Sequence, residues 1–492
     1  MLASGEFSRA VSFLQPALSD PPNSKVWRNW EFVGEFLGLY ALSMLSTDLR
    51  SVSRTLLATL AAFVAAWLLL GLPLDKPDSG IFQVDEAEYL TLAVHSVRQA
   101  RGLTDASVGG QIEVQDGVAP WRAGIHESTF GFQSPGLPKL LFGLAGSAAG
   151  AGEVNPKVFP RFADPSLSKG PAKLERKAAA QAVLPALGAG RAVTRLLAAA
   201  IAALLFALAA GISRAWTRPL GSYATGALAA ALWLSAPIAW EASAHVRPGL
   251  MPVAFWCAGL AAALGIRRPG ILPISLALGL ACGLATAGKL NGILFAPLVP
   301  ALLYWNRRAI GIDPGPALRQ AAIGTLISAA VCIAAFLALA PGLWHDTISG
   351  MGSVLNMWNG DLAFQAQQTN LSVEVSTGAA DSLAMGFRGL FTTAGPLAGL
   401  VPYLGAVLLP LGLLALARGS RARPDAPAQT HRDRAVLAWA LVLLLASAWL
   451  MPLDRPRYIL PMVAPAALVE ALVLARLLTL RKTAAPAASN PS

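Results

Sequence analysis

Apolar residues in this chain fall in long, nearly unbroken blocks, separated by short connections that are polar or basic. That pattern has neither the two-residue alternation of a half-buried strand nor the stripe of a surface helix. The first block, Leu56 to Leu72, already approaches the roughly 20 apolar residues that cross a bilayer. Windows of about 19 residues place about ten membrane-crossing helices, at 54–74, 193–213, 221–240, 250–266, 271–287, 290–306, 320–341, 396–417, 435–452 and 458–479. The pattern therefore predicts an all-α polytopic membrane protein. Met1 to Arg28 is polar and has no apolar core of a cleavable signal, so the first span is expected to act as its own anchor.

Basic residues orient this threading. Arg50 and Arg54 precede the first span, Arg214 and Arg218 follow the second, and Arg267 and Arg268 follow the fourth. Arg307, Arg308 and Arg319 follow the sixth; Arg418, Arg421, Arg423, Arg432 and Arg434 follow the eighth; Arg481 and Lys482 follow the last. With ten spans all these clusters share one side, which the positive-inside bias makes the cytoplasm. The expected organisation is a cytoplasmic N-terminal segment (1–51), a transmembrane catalytic domain (52–480) and a disordered cytoplasmic tail (481–492). Two long loops then face outward, 75–192 and 342–395, far longer than ordinary connectors of about 4–6 residues. In the first, Asp85 to Arg101 reads as an amphipathic helix with Ala87, Leu90, Val94 and Val97 on its apolar face. Pro135 to Ala149 is too short to span and is assigned to the interface, while basic 150–190 reads as a solvated insertion. Residues 28–47 read as a cytoplasmic or interfacial helix.

Composition narrows the class. The hydrophobic fraction is 55% and the charged fraction 13%, with mean hydropathy +0.55, so a net charge of +11 is read by its placement and not as a nucleic-acid signal. Cys257, Cys282 and Cys332 lie inside apolar runs and read as small packing residues.

The chemistry is expected on the outer face. Asp85, Glu86 and Glu88 arrive just after the first span, and Asp85 and Glu88 share a helix face. Asp85 fits a helix N-cap; it equally fits a general base or electrostatic stabiliser at the membrane surface. Lys289 lies between two apolar runs, where it either snorkels to the interface or binds phosphate. Arg455 and Arg457, in Asp454-Arg455-Pro456-Arg457-Tyr458, break the positive-inside pattern; they pair with Asp454 or form a fork for phosphate oxygens. His245 and Arg247 add cationic character to the third connection, where Pro248 also marks a helix start. A base beside cations from distant parts of the chain suits a hydroxyl nucleophile and a phosphate leaving group. No Gly-rich nucleotide cradle is present, which favours a lipid-bound donor over a soluble nucleotide. A divalent cation on the acidic cluster with Glu88 or His245 stays open, since no ligand spacing specifies one. Asn370-Leu371-Ser372 reads as a chance sequon.

The order of these features resembles the GT-C superfamily of membrane glycosyltransferases, close to glycosyltransferase family 39, which includes protein O-mannosyltransferases and lipid A aminoarabinose transferases. The matching segments are Val84-Asp85-Glu86-Ala87-Glu88-Tyr89, Phe132-Gln133-Ser134-Pro135-Gly136-Leu137-Pro138-Lys139, Arg195-Leu196, Ala244-His245-Val246-Arg247-Pro248, Gly288-Lys289 and Arg457-Tyr458-Ile459-Leu460-Pro461. The resemblance implies the GT-C fold and inverting transfer of a sugar from a polyprenyl-phosphate carrier to a lipid, protein or glycan acceptor on the non-cytoplasmic face. It implies Asp85 as catalytic acid–base residue with Glu86 beside it, and Lys289, Arg455, Arg457 and Tyr458 around the carrier phosphate. Glu88, His245 and Arg247 are assigned to acceptor or sugar, and the setting to a bacterial inner membrane with its site facing the periplasm. The chain departs from the family at Gly249, where Asp is usual, at Ser134-Pro135-Gly136, and in 150–190.

Two other readings compete. A transporter or flippase would also use ten spans, but no internal repeat is evident and the ionisable residues gather at one face. A non-catalytic membrane assembly subunit would keep the fold and lose the activity, as the Gly249 departure allows.

Overall fold

The computed structural model describes residues 49–70, 90, 93–94, 136–151, 171–217, 219–267, 270–339, 378–398, 401, 403–420, 426–449 and 456–483. Among them the protein is all-helical, with no strand. The α-helices are α1 (Leu49–Leu70), α2 (Gly136–Ala148), α3 (Pro171–Ser213), α4 (Pro219–Ser235), α5 (Pro237–Ala244), α6 (Leu250–Gly265) and α7 (Leu272–Gly288). A 3₁₀ segment, Leu290–Leu298, precedes α8 (Val299–Ala309) and α9 (Pro314–Ala338). Then come α10 (Ala379–Gly389), ending in a π turn (Leu390–Ala394), α11 (Leu404–Gly419), α12 (Pro427–Trp449) and α13 (Pro456–Thr483). Proline opens α3, α4, α5, α9, α12 and α13. At that position its fixed φ suits a helix, and its missing N–H has no partner to lose.

Each of the ten apolar runs contains helix among its described residues, although the run at 396–417 becomes helical only from Leu404. Among the described residues, three stretches are long and apolar enough to cross a membrane: Leu184–Ser213, Pro314–Ala338 and Tyr458–Leu478. A fourth exists if α4 and α5, bent by 69°, form one broken span. The break falls at Ala236, held extended before Pro237 (φ −74°, ψ 120°). The run at 290–306 is not one α-helix but a 3₁₀ segment continuing into α8. The expected insertion at 150–190 is helical from Pro171, where the 43-residue α3 begins.

The chain divides into two compact units. One comprises Met1–Ser46, Ser79–Phe130 and Pro138–Val193; the other comprises Thr47–Asp78, Gly131–Leu137 and Thr194–Ser492. In the first, Leu90, Ala93 and Val94 are helical and buried, as the expected apolar face required of Leu90 and Val94. Gly146 of α2 packs so closely on Val94 and Ala186 that a methyl group there would meet both at 2.9 Å.

In the larger unit, α13 is buried along nearly its whole apolar length and packs on α4, α11 and α12. By contrast α9 is mostly exposed, with Leu318, Ile323, Leu326 and Ile333 outward, and α1 turns out Leu56, Leu57, Leu60 and Leu68. Exposed apolar faces of that extent suit contact with lipid and mark the chain as membrane-associated. Small residues let helices meet closely: Gly279 and Gly283 of α7 lie against the backbone of Ser328 and Cys332 of α9. Ser328 donates to the Ser275 carbonyl at 2.8 Å across the same seam.

At the arginine-rich connections, Arg214 donates to Thr55 Oγ1 and lies 5.8 Å over the Tyr223 ring. Arg476 donates to the Ala415 carbonyl at 2.9 Å, stacks on Trp216 at 5.1 Å and pairs with buried Asp433 at 3.5 Å. Arg307 is fully buried and bonds to Asn306 Oδ1 and to the Gly270 carbonyl.

Candidate functional site

Helix α7 ends abruptly at Gly288. Lys289 follows in an extended conformation (φ −164°, ψ 142°), and its N–H closes the helix on the Ala285 carbonyl at 3.0 Å. The chain then turns at once into the 3₁₀ segment, where the Gly292 N–H donates to the Lys289 carbonyl at 2.8 Å. The buried Trp256 indole donates to the Gly292 carbonyl at 3.0 Å. A Cβ on Gly292 would stand 2.1 Å from the Ala285 carbonyl carbon, so only glycine fits there. The lysine is therefore held by a turn fixed through its own backbone.

Its ammonium lies 6.0 Å from the centre of the Tyr458 ring, in the first turn of α13. Both side chains are half-buried. Around this end of α13 two further connections close in: Gly249 sits against Leu460, and Gly389 of α10 sits against Ile459. Met251, at the start of α6, packs on Gly288. Residues from the third connection, the fifth connection, the second long loop and the last helix thus meet at one place.

Of the expected site residues, Lys289 and Tyr458 are brought together across 169 positions of sequence (458 − 289). His245 ends α5 in an extended conformation, and Arg247 follows two residues later. Arg247 pairs with Glu241 of α5 at 2.8 Å. Asp85, Glu86, Glu88 and Arg455 lie outside the described residues; Arg457 is placed in the first turn of α13 by its backbone alone. Among the described residues, no three His, Cys, Asp or Glu side chains gather to hold a metal ion.

Sequence reasoning passed over three residues here. Glu241, the first residue after the 221–240 run, was passed over, although a lone carboxylate six residues before an arginine is itself a signal. Trp256 gave no signal, because its role is one hydrogen bond to a backbone 36 residues away. Glu470 lies in the middle of α13 and is 1% exposed; its Oε2 has no hydrogen-bond partner among the described residues. It departs from the expectation that ionisable groups gather at one face.

Chemically, an ammonium over an aromatic face pairs a point charge for phosphate oxygens with a flat apolar surface for a sugar or isoprenoid. Comparison of the chain with protein-family models, with curated proteins and with solved structures finds no match.

Proposed function

We propose that this chain is an integral membrane glycosyltransferase of the GT-C type, family 39-like, using a polyprenyl-phosphate sugar as donor. Supporting it most is the Lys289–Tyr458 approach, which unites two of the residues assigned to the carrier phosphate at a junction of loops. On this reading the ten helical runs thread a bacterial inner membrane with the junction facing the periplasm. The acceptor hydroxyl attacks the anomeric carbon with inversion, and the bond from that carbon to the phosphate oxygen breaks. Asp85 takes the hydroxyl proton, and the carrier leaves as polyprenyl phosphate. Lys289 with Arg455 and Arg457 neutralises charge gathering on the leaving phosphate, while Glu86 supports Asp85. Glu88, His245 and Arg247 face the acceptor or sugar, with Glu241 orienting Arg247.

The test is carrier binding. Polyprenyl phosphate is titrated onto the purified protein, wild type and Lys289→Met. A charge-assisted hydrogen bond contributes about 1.5–3 kcal/mol, so the variant is expected to bind roughly tenfold to a hundredfold more weakly. Equal binding by both proteins would remove the phosphate role from Lys289.

A transporter or flippase is the second reading, and the observation favouring it is Glu470, a carboxylate buried at mid-depth in α13. Transport of the carrier into empty vesicles without sugar transfer, abolished by Glu470→Gln, would establish it instead.

A further inference from the structure

The end of the larger unit remote from Lys289 carries a second feature. Met251 marks the Lys289 end of α6, and Ala263 lies twelve residues on, ~18 Å along the helix. There a shallow open groove lies among the end of α6, the end of α8 and the start of α12. Arg267, His431 and Arg432 line it, with Trp305 and Asn306 beside them and apolar residues making the rest of its wall; among the described residues no carboxylate lines it.

Two helices, α6 and α8, end here, and their last carbonyls would ordinarily repel an anion. Several of those carbonyls are occupied: at the end of α6, Ala262 accepts from the Ile266 N–H at 2.9 Å and Ala263 from the Asn306 amide at 2.8 Å, and at the end of α8, Arg307 accepts from the Ile312 N–H at 3.2 Å and Arg308 from the Gly311 N–H at 3.1 Å. Helix α12 presents its N-terminal turns to the same space, which adds positive character. His431, 7% exposed, keeps a buried Nδ1 with no hydrogen-bond partner among the described residues. A buried imidazole nitrogen without a partner, in a groove that Arg267 and Arg432 also line, suits an acceptor from outside the chain.

We infer that this groove binds the phosphate of an anionic phospholipid from the leaflet it faces. Arg267 and Arg432 neutralise the phosphate, and the His431 Nδ1–H donates to one oxygen. Trp305 sits at headgroup depth, as interfacial tryptophans do, and the apolar wall lies against the first carbons of the acyl chains. Lipid is favoured over a soluble anion because the groove opens at the ends of apolar helices and half its wall is apolar.

Native mass spectrometry of the full chain tests this, with phosphatidylglycerol, phosphatidylcholine and inorganic phosphate as probes. Wild type should retain phosphatidylglycerol in preference to phosphatidylcholine. Arg267→Gln and Arg432→Gln should each weaken retention about fivefold, and excess inorganic phosphate should not displace the lipid. Arg267 is exposed, so its variant serves as the arm in which folding is not at stake. Equal retention of the two lipids, unchanged retention by Arg267→Gln, or displacement by inorganic phosphate would each overturn the proposal. Carrier binding at Lys289 is measured separately and is expected to be the same in Arg267→Gln as in wild type, so failure of one site leaves the other standing.

Discussion

Gly292→Ala is the sharpest perturbation of the Lys289 turn. The added methyl would lie 2.1 Å from the Ala285 carbonyl carbon, 2.2 Å from its oxygen and 2.4 Å from the Thr286 nitrogen. A flexible side chain could yield, but these are backbone atoms within a packed helix. Overpacking alone costs about 1–3 kcal/mol. Moving the 3₁₀ segment away also lengthens the Trp256–Gly292 and Gly292–Lys289 hydrogen bonds, each contributing about 1 kcal/mol. The expected loss is therefore roughly 3–5 kcal/mol, with carrier affinity falling because Lys289 leaves the Tyr458 ring. Denaturant titration in detergent micelles reads the first effect, and polyprenyl-phosphate binding the second. Gly265→Ala is the control: it ends α6 with nothing within 4 Å of the added methyl, and its stability should stay within about 1 kcal/mol of wild type. If Gly292→Ala matched Gly265→Ala in both assays, the described turn would be wrong.

Three further outcomes are expected. Arg476→Met strips a partner from buried Asp433 and should cost about 3–5 kcal/mol, much of it recovered in Arg476→Met/Asp433→Leu; a double variant no better than the single would refute the pairing. Burial, then the charges of Arg434 and Arg308, push the His431 pKa below the ordinary value near 6.5. The unfolded chain then binds the proton more tightly, so stability should be full above about pH 6.5 and fall on acidification, a slope that His431→Gln flattens; an identical slope in both proteins would remove His431 as its source. Cys282 of α7 and Cys332 of α9 are neighbours across the α7–α9 seam. Copper-phenanthroline with oxygen should join them within one chain in peptide mapping, whereas two separately alkylated cysteines would place the helices in another register.

The helical class was legible because a membrane demands nearly uninterrupted apolar sequence, and the described residues form helices and no strand, with three or four stretches long and apolar enough to cross a membrane. The detail was not. Pro237 was visible, yet a proline in an apolar run opens a new helix or merely kinks an old one, and only packing decides between the two. The basic segment 150–190 read as a solvated insertion from its charge, yet from Pro171 its alanines propagate α3. Arg307 was read only as one of the basic residues after the sixth span, with nothing to show that Asn306 and the Gly270 carbonyl allow it to be buried. Lys289 and Tyr458 were singled out separately by position and resemblance. Their meeting is tertiary, set by the turn at Gly292 and by the packing of Leu460 and Ile459, which no local pattern encodes.

Turnover is the most direct test of the central claim. Protein reconstituted in vesicles is given radiolabelled polyprenyl-phosphate sugars, and release of carrier phosphate is followed for wild type and Asp85→Asn. Wild type is expected to release carrier phosphate and the variant to lose that release, with protein abundance and carrier binding preserved. Release at an equal rate by Asp85→Asn would contradict it.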